Sequence, residues 1–349
     1  MATHPTIDYV MSFPRLASTL RAARAFSQTT VPPASTDGQS QFHMRAAMDI
    51  HPKVGKWISK QVVQTRHPDA DKRADASGSR LIDPAEIPQA IDGLRRDGFY
   101  VFSKVVDRDF TTAIRTFAEQ VPCTARGAGE APAPYPRQSP RVGRYDIDEE
   151  AALTCPEVQE YVTDPAMAAI ARGYLGQPVL MDEVAFWWTT TARSEDANIN
   201  AQMYHQDRDR LSFLKFFIYL TDVTPDTGPH VYVRGTHAHL PRSLRGDGRK
   251  TDDAVKAAGL GANVSELSGP AGTIMAVDTI GLHKGKTPIS GDRLALENEF
   301  STSLFGTDYE TPHFQPTDLT RKRFAAMPWV LQRYSDAILR AGAHSSTSR

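Results

Sequence analysis

The sequence predicts a mainly β protein with flanking helices, an α+β arrangement whose core is a double-stranded β-helix, the cupin-like jelly roll. Three observations point there. From about 178 to 305, short apolar runs alternate with Gly/Pro turns at the spacing of a β-sandwich or barrel. Ahead of them stands a helix, an Asp97-Gly98 turn, a strand and a second helix. Within the β region, His205-Gln-Asp207 leads into the apolar run Leu211–Leu220, and a distant His283 follows the apolar run Thr273–Val277. The expected organisation is an N-terminal extension over 1–82, a catalytic-type domain over 83–310 and closing helices over 311–349.

Residues 1 to about 40 are rich in Ser, Thr, Ala and Pro and carry Arg15, Arg21 and Arg24. That composition suits a loosely docked arm or, as an alternative, a transit peptide. The expected location is therefore cytoplasmic, or organellar under the alternative. A helix is expected near Val54–Val63, with Trp57 as a packing anchor, before a polar linker. Asp83 before Pro84 suits a helix start. The pattern then predicts a helix over 87–96, a strand over 99–102 and an amphipathic helix over 110–121. Residues 124–150, rich in Gly, Ala, Pro and Arg, read as a long loop, either an active-site lid or a surface insertion. Asp164 before Pro165 caps a helix that Gly176 closes, and a strand over 179–189 carries Trp187 and Trp188 on opposite faces.

Side chains at i and i+2 share a face of a strand, so His205 and Asp207 project together. Two such groups supply two ligands of a 2-His-1-carboxylate iron site. The third candidate is His283, 76 residues beyond Asp207, which sheet pairing would bring alongside. Arg293 follows ten residues later. Its permanent charge and planar fork suit bidentate capture of a carboxylate, such as the far end of a 2-oxo diacid chelating the metal. Asp209 is a rival ligand or a substrate contact. Lys215, inside Phe213–Phe217, either reaches an anionic co-substrate or faces solvent. Tyr219 shares its face and could line the pocket, and Trp187, Trp188 and Arg144 are further substrate candidates. Arg208 and Arg210 point to solvent or to the cavity mouth. His237 reads as structural, and His230 and His239 are not placed as ligands.

In this order, His205-Gln-Asp207, an apolar strand, Asp226-Thr-Gly-Pro229, Arg234-Gly-Thr-His237, His283 and Arg293 resemble the phytanoyl-CoA dioxygenase family of Fe(II)/2-oxoglutarate oxygenases. The resemblance covers roughly residues 90–310, and Arg234-Gly-Thr-His237 departs from the family's Pro-Gly-Ser-His. It implies Fe(II) held by His205, Asp207 and His283, with 2-oxoglutarate and O2 as co-substrates and Arg293 pairing the distal carboxylate. It also implies decarboxylation to succinate and CO2 coupled to hydroxylation or desaturation of a small molecule. Related halogenases replace the carboxylate by chloride, so Asp207 favours oxygenation.

Bulk properties are compatible with this. A net charge of −1 over 349 residues lacks the basic excess of a nucleic-acid binder. No run reaches the roughly 18 apolar residues of a membrane span. Cys123 and Cys155 have no metal-ligand spacing, which suits a reducing compartment. Two other readings of the motif remain: a cupin-like metalloenzyme that needs no Arg293, and a catalytically silent binding protein. The oligomeric state is not legible.

Overall fold

The two longest strands form the centre of the larger sheet. In the computed structural model, which describes residues 38–48, 55–60, 76–192, 202–246, 248–307 and 310–334 with isolated positions between 17 and 26, they are β5 (Leu180–Thr189) and β11 (Arg293–Ser301). They pair antiparallel from Arg293↔Thr189 to Ser301↔Leu180. Around them lie β1 (Phe99–Val105), β2 (Pro122–Ala125), β3 (Ala133–Pro134), β4 (Arg144–Ile147), β6 (Phe213–Tyr219) and β9 (Thr273–Val277), giving one sheet ordered β1-β9-β6-β11-β5-β4-β2-β3. A second sheet, β10-β7-β8, is built from β7 (His230–Val233), β8 (Val264–Leu267) and β10 (His283–Gly285). This is the expected jelly-roll core.

The large sheet buries both faces, which is why β6 and β11 are buried at every position. One face packs on helices Ile87–Asp97, Arg108–Gln120 and Pro165–Leu175, through residues that include Trp188, Phe216, Ile218 and Leu296. The other faces the small sheet, through Trp187, Phe217, Tyr219, Met275 and Ala295 against Tyr232 and Leu267. Tyr219 and Phe217 alternate with Ile218, so the period of two sorts one strand between two cores.

Several expectations change. Residues 124–150 are not a structureless loop: β2, β3 and β4 extend the sheet beyond β5, with Asp146 opposite Trp187. Trp188 does not turn to solvent but stacks on Tyr135 at 4.4 Å. The residues His205–Asp209 lie on irregular chain rather than a strand, because β6 begins only at Phe213. Trp57, in the helical stretch 55–60, is exposed rather than an anchor. The expected helices over 87–96 and 110–121 and the Asp164-capped helix form as Ile87–Asp97, Arg108–Gln120 and Pro165–Leu175. The N-terminal arm before 17, the polar linker over 61–75 and the last expected helical residues past 334 lie outside the described residues. No helix among the described residues is long and apolar enough to cross a membrane.

Gly98 ties the helical layer to the sheets. It closes helix Ile87–Asp97 at φ 90, in the left-handed region, while its carbonyl accepts from the Asp278 amide at 2.8 Å. A Cβ there would meet the Tyr232 hydroxyl and would come within 2.6 Å of His237 Nδ1. His237 is thus structural, held also by Nε2 at 3.3 Å from the Arg95 carbonyl. Gly98→Ala combines a forced left-handed alanine with overpacking and should cost about 2–4 kcal/mol, read as a lowered urea midpoint with unchanged slope.

Candidate active site

Between the two sheets, His205, Asp207 and His283 converge. Their ligand atoms lie within 4.8 Å of one another. A two-residue antiparallel bridge achieves this. His205 N–H donates to the His283 carbonyl at 2.9 Å, and His283 N–H donates back at 3.1 Å. The rings then stand 4.3 Å apart. Asp207 is fixed from the same side by its N–H, which donates to the Thr279 carbonyl at 2.9 Å.

Each imidazole is oriented by its other nitrogen. His205 Nδ1 lies 2.9 Å from the Met203 carbonyl and His283 Nδ1 3.0 Å from the Gly281 carbonyl. A carbonyl only accepts, so both Nδ1 atoms carry the proton and both Nε2 lone pairs are free for a metal. The Nε2 atoms each stand 3.6 Å from an Asp207 oxygen. Adjacent ligands of an octahedral ion bound at about 2.1 Å are roughly 3 Å apart, so a small contraction closes the triad on one cation. Burial, with His283 alongside, pushes His205 down to about 3. Burial likewise lowers His283. Burial would raise Asp207, but Lys215 and the two histidines hold its carboxyl far below the usual range. Two neutral imidazoles and an ionised carboxylate are the donor set of the 2-His-1-carboxylate iron class.

The turn that delivers His283 is anchored by Asp278, which is fully buried. Its carboxylate receives the Lys56 ammonium and the Tyr174 hydroxyl, each at 2.5 Å, and its carbonyl receives the Tyr232 hydroxyl at 2.8 Å.

Lys215 neither faces solvent nor stands free for a co-substrate. Its ammonium lies 2.9 Å from Glu297, 3.2 Å from Asp207, 3.5 Å from Glu299, 3.7 Å from Glu183 and 3.9 Å from Asp209. Register explains the gathering: Lys215, Glu299 and Glu183 are lateral neighbours on β6, β11 and β5. Burial would lower the lysine, but the surrounding acids raise it well above its ordinary value. Burial pushes Glu183 up to about 8, and burial with Asp182 nearby raises Glu299 well above its ordinary value. Asp209 sits at its edge, accepting from Thr307 Oγ1 at 3.4 Å, and is not part of the metal cluster. Arg208 and Arg210 are buried rather than solvent-directed, and Arg210 Nε donates to Asp182 at 2.6 Å.

Arg293 is buried at the other end of β11. It donates to the Gly228 carbonyl and, at 3.0 Å, to Thr189 Oγ1, while its Nε has no partner. No carboxylate pairs with it among the described residues. Burial presses its pKa down, with Arg144 adding to the effect. Tyr219 lies on the same wall, its hydroxyl donating to the Leu267 carbonyl at 2.7 Å and accepting from His230 N–H at 2.9 Å. Trp187 completes that wall, with the Arg144 guanidinium 4.2 Å from its ring centre and bonded to Asp146 at 2.7 Å. Trp188 is on the opposite face of the sheet and does not line the site.

The motif reading missed Glu183, Glu297, Glu299 and His230. The two glutamates of β11 were within reach, since they share a face with Arg293 at steps of two. Glu183 and His230 are joined to the site only by strand pairing.

The fold and the His-Asp-His donor set are those of an iron- and 2-oxoglutarate-dependent enzyme of the oxygenase type. The profile of the phytanoyl-CoA dioxygenase (PhyH) family matches residues 94–287, more than half of the chain, and the protein belongs to that family. No curated protein matches the sequence. Similar solved structures include the epimerase SnoN in complex with Fe3+, alpha ketoglutarate and nogalamycin RO (18% identity, 62% of this chain and 84% of that one, TM-score 0.46). Others are HygX from Streptomyces hygroscopicus with nickel and 2-oxoglutarate (17%, 64% and 89%, TM-score 0.42) and EctD from S. alaskensis with 2-oxoglutarate and 5-hydroxyectoine (17%, 66% and 80%, TM-score 0.46).

Lys215→Met leaves the carboxylates of the cage without their shared cation. Removing one member of a buried charge cluster costs about 3–5 kcal/mol, and chemical denaturation of the metal-free protein at neutral pH should show a loss of that size. A loss below 1 kcal/mol would mean that the cage contributes little to folding.

Proposed function

We propose that the protein hydroxylates, or desaturates, a small-molecule metabolite or biosynthetic intermediate, using Fe(II) held by His205, Asp207 and His283 and 2-oxoglutarate held at its distal carboxylate by Arg293. The observation that carries this reading is the buried Arg293 guanidinium with an unpartnered Nε and no carboxylate beside it among the described residues. A buried cation without a counter-ion is costly, so an anionic ligand is what this position suits.

When bound, iron and 2-oxoglutarate supply oxidative power through reaction with O2, and the protein's part is to position and shield them. His205 and His283 contribute neutral nitrogen donors, their rings aimed by the Met203 and Gly281 carbonyls. Asp207 contributes the single carboxylate, its charge maintained by Lys215 at 3.2 Å. Three protein ligands leave the remaining coordination positions to co-substrate and O2. Trp187, Phe217 and Ala295 form the apolar part of the wall, and a low-polarity surrounding strengthens the pairing of Arg293 with an anion. Asp207 supports oxygenation over halogenation, since no position is vacated for a halide. Asp209 and Arg144 remain the candidates for substrate contact.

Three results follow. Anaerobic Fe(II) protein titrated with 2-oxoglutarate should develop the weak visible charge-transfer band of a metal chelate. His205→Ala and Asp207→Ala should keep the fold by circular dichroism yet lose turnover, and near-wild-type turnover in either would refute the metal assignment. Arg293→Ala removes a charge-assisted hydrogen bond worth about 1.5–3 kcal/mol, a rise of roughly 10- to 150-fold in the 2-oxoglutarate dissociation constant. A band that forms in Fe(II) protein with the same midpoint in Arg293→Ala would move the clamp elsewhere. No band at all would favour a cupin-like metalloenzyme that uses no 2-oxo acid.

A further inference from the structure

His230 opens β7, and β7 is the strand paired with β10, which carries His283. Tyr232 is directly opposite His283, so His230, two residues earlier, lies on the same inward face. Its ring stacks on that of His283, with centroids 5.3 Å apart and planes 8° from parallel, and contacts Phe217 at 5.1 Å on the other side. Its backbone N–H is fixed by the Tyr219 hydroxyl at 2.9 Å, and Gly228, two residues before it, offers its carbonyl to Arg293. The imidazole therefore stands in the interval between the metal triad and the arginine. The residue is only 8% exposed, and its Nε2 is buried with no hydrogen-bond partner.

That combination is unusual for a residue with a purely packing role. Phe217 and the His283 ring offer a slot that a leucine or phenylalanine would fill without an orphaned polar atom, and a buried unsatisfied nitrogen costs about 1–3 kcal/mol. A 2-oxo diacid that runs from the metal to Arg293 passes this point and presents carboxylate oxygens at both of its ends.

We infer that His230 positions the co-substrate, its imidazole donating a hydrogen bond to a carboxylate oxygen of the 2-oxo diacid that spans the metal and Arg293. The inference rests on the 2-oxoglutarate reading above and adds a side chain that the metal motif and the arginine do not include. It makes the co-substrate's seat a three-point one: metal at the 2-oxo acid end, Arg293 at the distal carboxylate, and His230 on a carboxylate oxygen beside them. His230 acts on the ligand and not on the iron, so its removal should separate the two affinities.

The test is anaerobic titration of Fe(II) and then 2-oxoglutarate into the wild-type protein and into His230→Phe, His230→Gln and Arg293→Ala. Expected is a wild-type charge-transfer band whose 2-oxoglutarate midpoint rises about tenfold in His230→Phe, with the Fe(II) dissociation constant within twofold of wild type. His230→Gln, which keeps a hydrogen-bonding group at this place, should recover most of the loss. An unchanged 2-oxoglutarate midpoint in His230→Phe would overturn the assignment while leaving Arg293 and the function intact. Weakened Fe(II) binding in both His230 variants would overturn it too, showing a role in holding His283. If the wild type forms no band, the 2-oxoglutarate reading fails and His230 falls with it.

Discussion

The ammonium of Lys215, sunk among five carboxylic side chains, is the interaction on which the interior depends. Asp207 must be ionised to bind a metal, yet it is buried between two sheets where a lone charge is unfavourable. Lys215 resolves this by lying 3.2 Å away. The same ammonium permits Glu297, Glu299 and Glu183 to occupy the inner faces of adjacent strands, where carboxylates alone would repel one another. The strand pairing that forms the core and the charge state of the candidate metal ligand thus share one cation.

Support for the triad extends through the fold in layers. His205 and His283 are joined by paired backbone hydrogen bonds, each ring is turned by a carbonyl two residues earlier in the chain, and the turn before His283 is pinned by buried Asp278. Asp278 in turn receives Lys56 and Tyr174 and donates its N–H to the Gly98 carbonyl at 2.8 Å. A helix end, a turn and the candidate iron site are therefore mechanically continuous. Such nested constraints hold ligands in place before the metal arrives.

Much of this was legible from residue order. The jelly-roll class followed from short apolar runs and Gly/Pro turns, and the helices over 87–97 and 165–175 from Pro and Gly at their ends. The clustering of His205, Asp207 and His283 followed from residue type and sequence spacing. What escaped did so because it depends on lateral pairing. The period of two placed Lys215 and Tyr219 on one face, but only the register that sets Lys215 beside Glu299 and Glu183 shows that the lysine is enclosed. The segment 124–150 looked structureless because its strands are short and interrupted by Gly and Pro, and successive pairing outward from β5, not intrinsic propensity, makes them strands. The sequence left Arg210 between solvent and the cavity mouth because its partner, Asp182, lies 28 residues away on β5.

Strand β11 has a further consequence for how molecules enter. Arg293 stands at its first position and Glu297 and Glu299 follow on the same face, so this strand sets an electrical polarity along the interior. At one end an anion meets a buried cation with no carboxylate beside it among the described residues. At the other, the carboxylic groups are already matched by the Lys215 ammonium. One strand thus carries both an unmatched charge and a balanced one.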